Sequence, residues 1–346
     1  MTRLVLAYSG STRCAAALHA LTTSGCDVVT VTLDLGQADQ LDAVRARALG
    51  GGASRAHVLD VREMFAREYL LPALAANAAS FDGRPSGREI AHALIARQVV
   101  DIAGMESATH LAHGATARFG DAARLETAMR SLAPHATVHA PLAEDLAGID
   151  IISYAQANRL PVGPDVQGRQ VNVWERVQAT DDAAGVERDG FFVRSKPAAA
   201  CPTEPATLEI EFERGVPRKV NGVGMPVLEL VSSLDTIAGA HGIGRGTFDL
   251  SLSNGGGHRQ PFVFESPVAT LLDVAHRKLE ARLLPADLLA AQKPIDDLIA
   301  DVIARGAWFT PVREACDAFL KRSQQGVTGT VRLELFQGTC RVTAYA

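Results

Sequence analysis

Three observations predict an α/β protein built in two parts. Through the first half, β-branched or leucine-rich runs alternate with alanine- and leucine-rich stretches, the pattern of strand–helix–strand units and a parallel sheet. From Gly163 to Glu204 the chain becomes polar and irregular, punctuated by Gly, Pro and Asp, as a junction between domains does. Beyond it, strands come in adjacent pairs and long helical patterns follow, an α+β arrangement. A chain of 346 residues is long for one domain, and the boundary falls between 1–165 and 166–346.

The elements follow in order. Leu4–Tyr8 is a continuous apolar run suited to a strand buried on both faces, and Ser9-Gly10-Ser11 ends it in a turn. Arg13–Leu21 reads as a helix, Val28–Leu33 as a strand, Leu41–Leu49 as a helix and Ala56–Val61 as a third strand. Arg62–Asn77 and Glu89–Met105 are helical; Thr109–Ala112 and Thr137–His139 are short strands around a helix at Ala122–Leu132, and Ile149–Ala157 is a last helix. In the second half, Ala206–Phe212 and Pro217–Asn221 read as paired strands before a helix at Leu228–Ala240. Phe248–Leu252 and Phe262–Glu265 are strands around a glycine-rich loop at Asn254–Gly257. Helices at Ala269–Leu283, Pro285–Ala304 and Pro311–Ser323 precede a terminal strand pair, Val327–Phe336 and Cys340–Tyr345.

Composition narrows the function. Hydrophobic residues make up 47% and charged residues 21%, enough for a sizeable core. A net charge of −5 argues against broad binding to nucleic acid or an anionic membrane, so any polyanion must meet a local arginine cluster. The five cysteines, Cys14, Cys26, Cys201, Cys316 and Cys340, are scattered and lack metal-ligand spacing, so no metal site is expected. No signal peptide and no membrane-length apolar run is read, and a cytoplasmic protein is expected.

The strand–turn–helix at Leu4–Leu21 aims several backbone N–H groups at a positive helix end, a physical site for phosphate. Alone, such a junction often binds nothing. Its residues, however, Ala7-Tyr8-Ser9-Gly10 followed by Val31-Thr32-Leu33-Asp34-Leu35-Gly36-Gln37, resemble the opening blocks of the argininosuccinate synthase family, A-Y-S-G-G-L-D-T-S and V-T-x-D-x-G-Q. Further blocks agree in the same order: residues 58–65, 74–78, and 113–126, the last resembling H-G-x-T-G-K-G-N-D-Q-V-R-F-E. Asn172-Val-Trp174, His241-Gly-Ile-Gly244-Arg245, Trp308-Phe-Thr-Pro311 and Val327-Thr-Gly-Thr-Val331 extend the resemblance almost to the end.

The resemblance implies a pyrophosphate-loop, HUP-like nucleotide domain and a synthetase and oligomerisation domain. It also implies a ligase that adenylylates an acceptor with ATP, releases pyrophosphate and couples the acceptor to the amine of aspartate. The nucleotide site it implies is Ala7, Tyr8, Ser9, Gly10, Ser11, Arg13, Leu33 and Gly114. The family's loop aspartate is Arg13 here, which removes a ligand for Mg2+ and adds a charge that can hold phosphate; Arg13 could equally be a solvated first-turn arginine. Cys14 reads as a small packing residue at the helix start, with a nucleophile as the sharper alternative. Thr116, Arg118 and Asp121 match positions that hold the amino donor, although Asp121 could simply cap the following helix.

Around the acceptor the chain departs from its family. Arg124 matches the arginine that pairs with citrulline's carboxylate, but the Y-P-L-x-T turn becomes Arg84-Pro85-Ser86-Gly87-Arg88 and the following R-P becomes His92-Ala93. Serines fall at Gly168 and Val177, a glutamate region at Asp249–Gly257, and a tyrosine at Phe264. A pocket that discriminates through hydrogen bonds and loses them rejects its former ligand. Arg84, Arg88 and Arg124 are therefore expected to converge on an acceptor more anionic than citrulline, since grouped guanidiniums call for an anion; Arg84 and Arg88 could instead point into solvent. Three readings stand: a ligase with an acceptor other than citrulline, a non-catalytic nucleotide- or metabolite-binding relative, and an unusual argininosuccinate synthase. The expected partners are small molecules (ATP, an amino acid such as aspartate, an anionic acceptor). Because family members continue past Tyr345-Ala346 with an arm that locks tetramers, a homodimer is expected.

Overall fold

The computed structural model of the protein describes residues 2–37, 41–81, 83–163, 169–180, 190–251 and 259–346, without the side chains of Phe81, Arg118 and Ser251. Its N-terminal half is a five-stranded parallel sheet of β1 (Arg3–Ala7), β2 (Asp27–Asp34), β3 (Arg55–Asp60), β6 (His110–His113) and β7 (Thr137–His139), in the order β3-β2-β1-β6-β7. Strand β1 is central and pairs with both β2 and β6. Leu4, Val5 and Leu6 are each 0% exposed, which is why that run shows no polar alternation. Leu4 and Leu6 pack with Leu18, Val44 and Ala48 from helices α1 (Thr12–Thr23) and α2 (Leu41–Gly50). On the other face Val5, Val29 and Val31 meet Phe65, Leu70, Leu94 and Leu125, from helix α3 (62–75), α4 (Gly87–Met105) and α5 (Asp121–Leu132).

The chain moves outward from β1 through β2 to β3, then crosses back to β6 on the other side of β1. The C-terminal ends of β1 and β6 thus diverge at a switch point, the crevice where α/β sheets bind ligands. The Ser9–Ser11 turn and the segment Gly114–Thr116 leave the sheet there.

Two local departures from expectation have physical causes. Helix α3 carries a π turn at Phe65–Leu70, immediately before Pro72. Proline cannot donate and its ring crowds the carbonyl four residues back, so the helix widens. Helix α4 begins at Gly87, earlier than the expected Glu89, because its first N–H groups are capped from far along the chain: Glu175 accepts from Gly87 N at 3.1 Å and from Arg88 N.

The C-terminal half is α+β. One antiparallel sheet runs β12-β11-β10-β15-β16, with β10 (Ala206–Glu213) and β11 (Val216–Val220) the pair read from sequence, β12 (Val223–Gly224) at one edge, and β15 (Gly329–Phe336) and β16 (Thr339–Tyr345) closing the chain. A second sheet joins β13 (Arg245–Ser251) and β14 (Arg259–Glu265) to two strands that the sequence reading missed, β8 (Arg169–Val171) and β9 (Arg176–Ala179). They lie inside the stretch expected to be irregular. Too short to show a period, they are strands because of their neighbours: β14 pairs with β9, Phe264 opposite Val177, and β9 in turn pairs with β8. One hydrophobic core runs through both halves, joining Val5 and Leu94 to Leu208, Leu272 and Val331. Gly168 and the Asn254–Gly257 loop lie outside the described residues. Among the described residues, no helix is long and apolar enough to cross a membrane.

Candidate active site

The turn after β1 is shaped by its serines and one glycine. Gly10 has φ +76°, a left-handed conformation that other residues adopt at a cost. Ser11 is the N-cap of α1 and accepts from Cys14 N at 3.3 Å, while Ser9 Oγ donates to Ser11 Oγ at 3.0 Å. Arg13 is half-exposed in the first turn, where the helix end is positive and no acidic side chain balances it. Cys14 is buried, with Sγ 3.3 Å from Ser9 Oγ, the packing residue that the blander reading expected. Gly114 leaves room for it: a Cβ there would lie 3.1 Å from Cys14 Cα and Sγ.

The remaining nucleotide candidates are more enclosed. Tyr8 is 3% exposed, its hydroxyl has no partner among the described residues, and burial pushes its pKa up to about 12. Ala7 closes β1. Leu33 packs into the core, and its carbonyl accepts from Gln37 Nε2 at 2.7 Å. The turn offers phosphate its N–H groups, two hydroxyls and Arg13, which suits a polyphosphate. Its residues do not suit a resident Mg2+, because Ala7–Ala15 contains no carboxylate. Among the described residues, no cluster of three His, Cys, Asp or Glu side chains is placed to hold a metal.

Next to this crevice lies a buried charge cluster. Asp121 opens α5 without making a capping bond, so the capping alternative does not hold. Its Oδ1 instead accepts from Arg88 Nη2 at 2.6 Å and from Arg124 Nη1 at 3.1 Å, with His92 Nε2 at 3.5 Å. Arg124 also donates to the carbonyls of Phe119 and Ala304. Arg84 pairs with Glu89 at 3.2 Å and lies over the Phe248 ring. Arg88 is 3% exposed, sits over Phe119 and Phe262, and stands 3.7 Å from Glu89.

The three guanidiniums gather around Glu89 and Asp121. The anions beside them, however, are Glu89 and Asp121 of the protein itself, which corrects the argument that the arginines require an external one. The solvent-facing alternative fails too for Arg88, which is buried. Thr116 leads into the turn Ala117–Phe119 at the mouth of this cluster. The Arg118 side chain lies outside the described structure.

Electrostatics follow from burial. Burial disfavours the Asp121 and Glu89 carboxylates, yet the charged neighbours outweigh it and hold both below the usual carboxylate range. Arg88 is likewise penalised by burial but held more firmly protonated by Asp121 and Glu89. His92 is driven down to about 4 by burial and is neutral. Glu175, 0% exposed and near the Glu89 charge, is pushed up to about 7. Glu89, His92 and Glu175 were not read from the sequence as site residues. Glu175 gave no local signal, since the helix it caps begins 88 positions earlier.

Comparison with known proteins agrees with the residue blocks. The N-terminal HUP domain model of argininosuccinate synthase matches residues 3–161, and the C-terminal domain model matches residues 167–346. Argininosuccinate synthases of Rubrobacter xylanophilus and Dehalococcoides mccartyi are 35% and 36% identical to the chain, each over 98% of it and over 84% and 85% of their own length. That of Geobacillus kaustophilus is 36% identical over 97% of the chain. A 4-thiouridine synthetase–RNA complex with bound ATP is a distant, partial likeness, at TM-score 0.34 and 17% identity over 47% of the chain and 43% of its own. Matched in both halves and over nearly its whole length, the chain belongs to the argininosuccinate synthase family of ATP-dependent ligases.

Proposed function

We propose that the chain is an AMP-forming carbon–nitrogen ligase whose acceptor is not citrulline. An acceptor oxygen attacks the α-phosphate of ATP at the Ser9–Arg13 turn and expels pyrophosphate. The amine of aspartate or a similar donor then attacks the activated carbon, forms the C–N bond and expels AMP. The turn holds the phosphates through backbone N–H groups and Arg13. Thr116 and Asp121, with Arg118 by its place in the family pattern, serve the donor; Arg84, Arg88 and Arg124 serve the acceptor.

The observation that carries the altered acceptor is the buried Arg88–Asp121 pair at 2.6 Å. In the family pattern this turn carries a hydroxyl residue where Arg88 stands. A buried guanidinium, with Phe262 and Phe264 behind it, presents charge and aromatic surface where a neutral ureido group needs small hydrogen-bonding partners. Pyrophosphate release with ATP and aspartate, measured against citrulline and a panel of carboxylate acceptors, tests the reading. Turnover with a carboxylate and none with citrulline is expected; a citrulline-dependent rate overturns the altered acceptor.

A second reading, nucleotide binding without turnover, is favoured by the engagement of Asp121 with two arginines, which competes with a donor ammonium. ATP binding with no pyrophosphate release for any acceptor selects it.

A further inference from the structure

The mechanism leaves one cation beside the nucleotide turn unused. Arg47, in the second turn of α2, lays its guanidinium against Gly10: a Cβ built on Gly10 would stand 3.1 Å from Arg47 Nη2. The same group fills the space beside Gly163, where a Cβ would stand 2.8 Å from Cζ and 2.9 Å from Nη2. Arg47 Nε is buried with no hydrogen-bond partner, and among the described residues the guanidinium makes no ion pair. Near it, Tyr8 is 3% exposed and its hydroxyl is also unpartnered among the described residues. An arginine on a helix surface ordinarily extends into water or meets a carboxylate, as Arg67 meets Glu63. Arg47 does neither. It is held between Gly10 and Gly163, with donors left over and no acceptor supplied among the described residues.

We propose that Arg47 is a phosphate-binding residue of the nucleotide site, gripping the pyrophosphate end of ATP across the Gly10 turn. The inference rests on the nucleotide reading above and adds a residue that the sequence pattern did not mark. With Arg13, it gives the turn two guanidiniums where the family loop has an aspartate. A phosphate oxygen supplies the acceptor that Arg47 lacks, in the charge-assisted geometry that guanidinium favours. Glycine at position 163 is explained by the same contact, since a side chain there would push the guanidinium away.

Calorimetry with ATP, AMP and inorganic pyrophosphate tests this on the full chain. Arg47→Ala should weaken ATP and pyrophosphate about tenfold to a hundredfold, the loss of one charge-assisted contact, and leave AMP within about twofold. Arg47→Lys should recover part of the loss. Gly163→Ala displaces only the far end of a flexible side chain, so it should weaken ATP and pyrophosphate while the melting temperature stays near that of the parent. Equal losses for ATP and AMP, or unchanged ATP affinity in Arg47→Ala, overturn the proposal while the nucleotide reading survives. A parent chain that binds none of the three ligands overturns both.

Discussion

The Ser9–Arg13 turn and the wall around Arg88, the proposed nucleotide and acceptor sites, are both built at the first turn of a helix, yet they treat charge in opposite ways. At the turn, Ser9, Ser11 and Arg13 remain accessible, and no carboxylate stands among residues 7–15. At the wall, Arg88 is 3% exposed and Glu89 4%, and the arginines are ion-paired with Glu89 and Asp121. An open set of donors is a binding site waiting for an anion; a closed set is a buried network whose stability is bound up with its completeness. The lesson is that counting arginines does not identify an anion site. What matters is whether the fold has already supplied the anion.

The largest expected effect breaks the closed set. Arg88→Ala removes the guanidinium between Asp121 and Glu89, and leaving buried carboxylates short of a partner costs about 3–5 kcal/mol. Urea denaturation measures it. A loss under about 1 kcal/mol would mean that the wall is solvated and the contrast with the turn is false.

A smaller effect concerns pH. Glu175 is raised in the folded state to about 7 from the usual value near 4.5. A group whose folded value is raised contributes stability that is full below its unfolded value and is lost as pH rises through the folded one. Stability attributable to Glu175 therefore declines between about pH 5 and pH 8, by about 1–3 kcal/mol. Asp121 and Glu89, held low, act with the other sign: their contribution is present at neutral pH and disappears in acid. Glu175→Gln should flatten the decline above pH 5 without changing the acid limb. Melting temperatures across pH 4–9 for both proteins separate the two limbs, and an unaltered slope in the variant would remove Glu175 from the account.

The smallest effect on stability is expected at the turn. Arg13→Ala should change unfolding free energy by less than about 0.5 kcal/mol, as surface substitutions do. Its affinity for ATP should nonetheless fall about tenfold. A stability loss like that of Arg88→Ala would show that the turn, too, is internally paired.

Much of the molecule is determined by sequence alone. Leu4–Leu6 and Val28–Leu33 had to be strands buried on both faces, because their apolar runs are short, β-branched or leucine-rich and bounded by turn residues. The strand–turn–helix was legible from Ser9-Gly10-Ser11, and family membership from blocks spread along the chain. The tertiary structure alone decided the wall. Arg88 and Asp121 lie 33 positions apart, Gly87 and Glu175 88, and Arg124 reaches a carbonyl 180 positions away. Periodicity relates residues a turn or a pleat apart, so it shows that a charge exists and which helix carries it. Whether that charge is solvated, paired or waiting for a ligand depends on which distant segment folds against it. For β8 and β9 the same holds: three or four residues carry no period, and only pairing, of β9 with β14 and of β8 with β9, makes them strands.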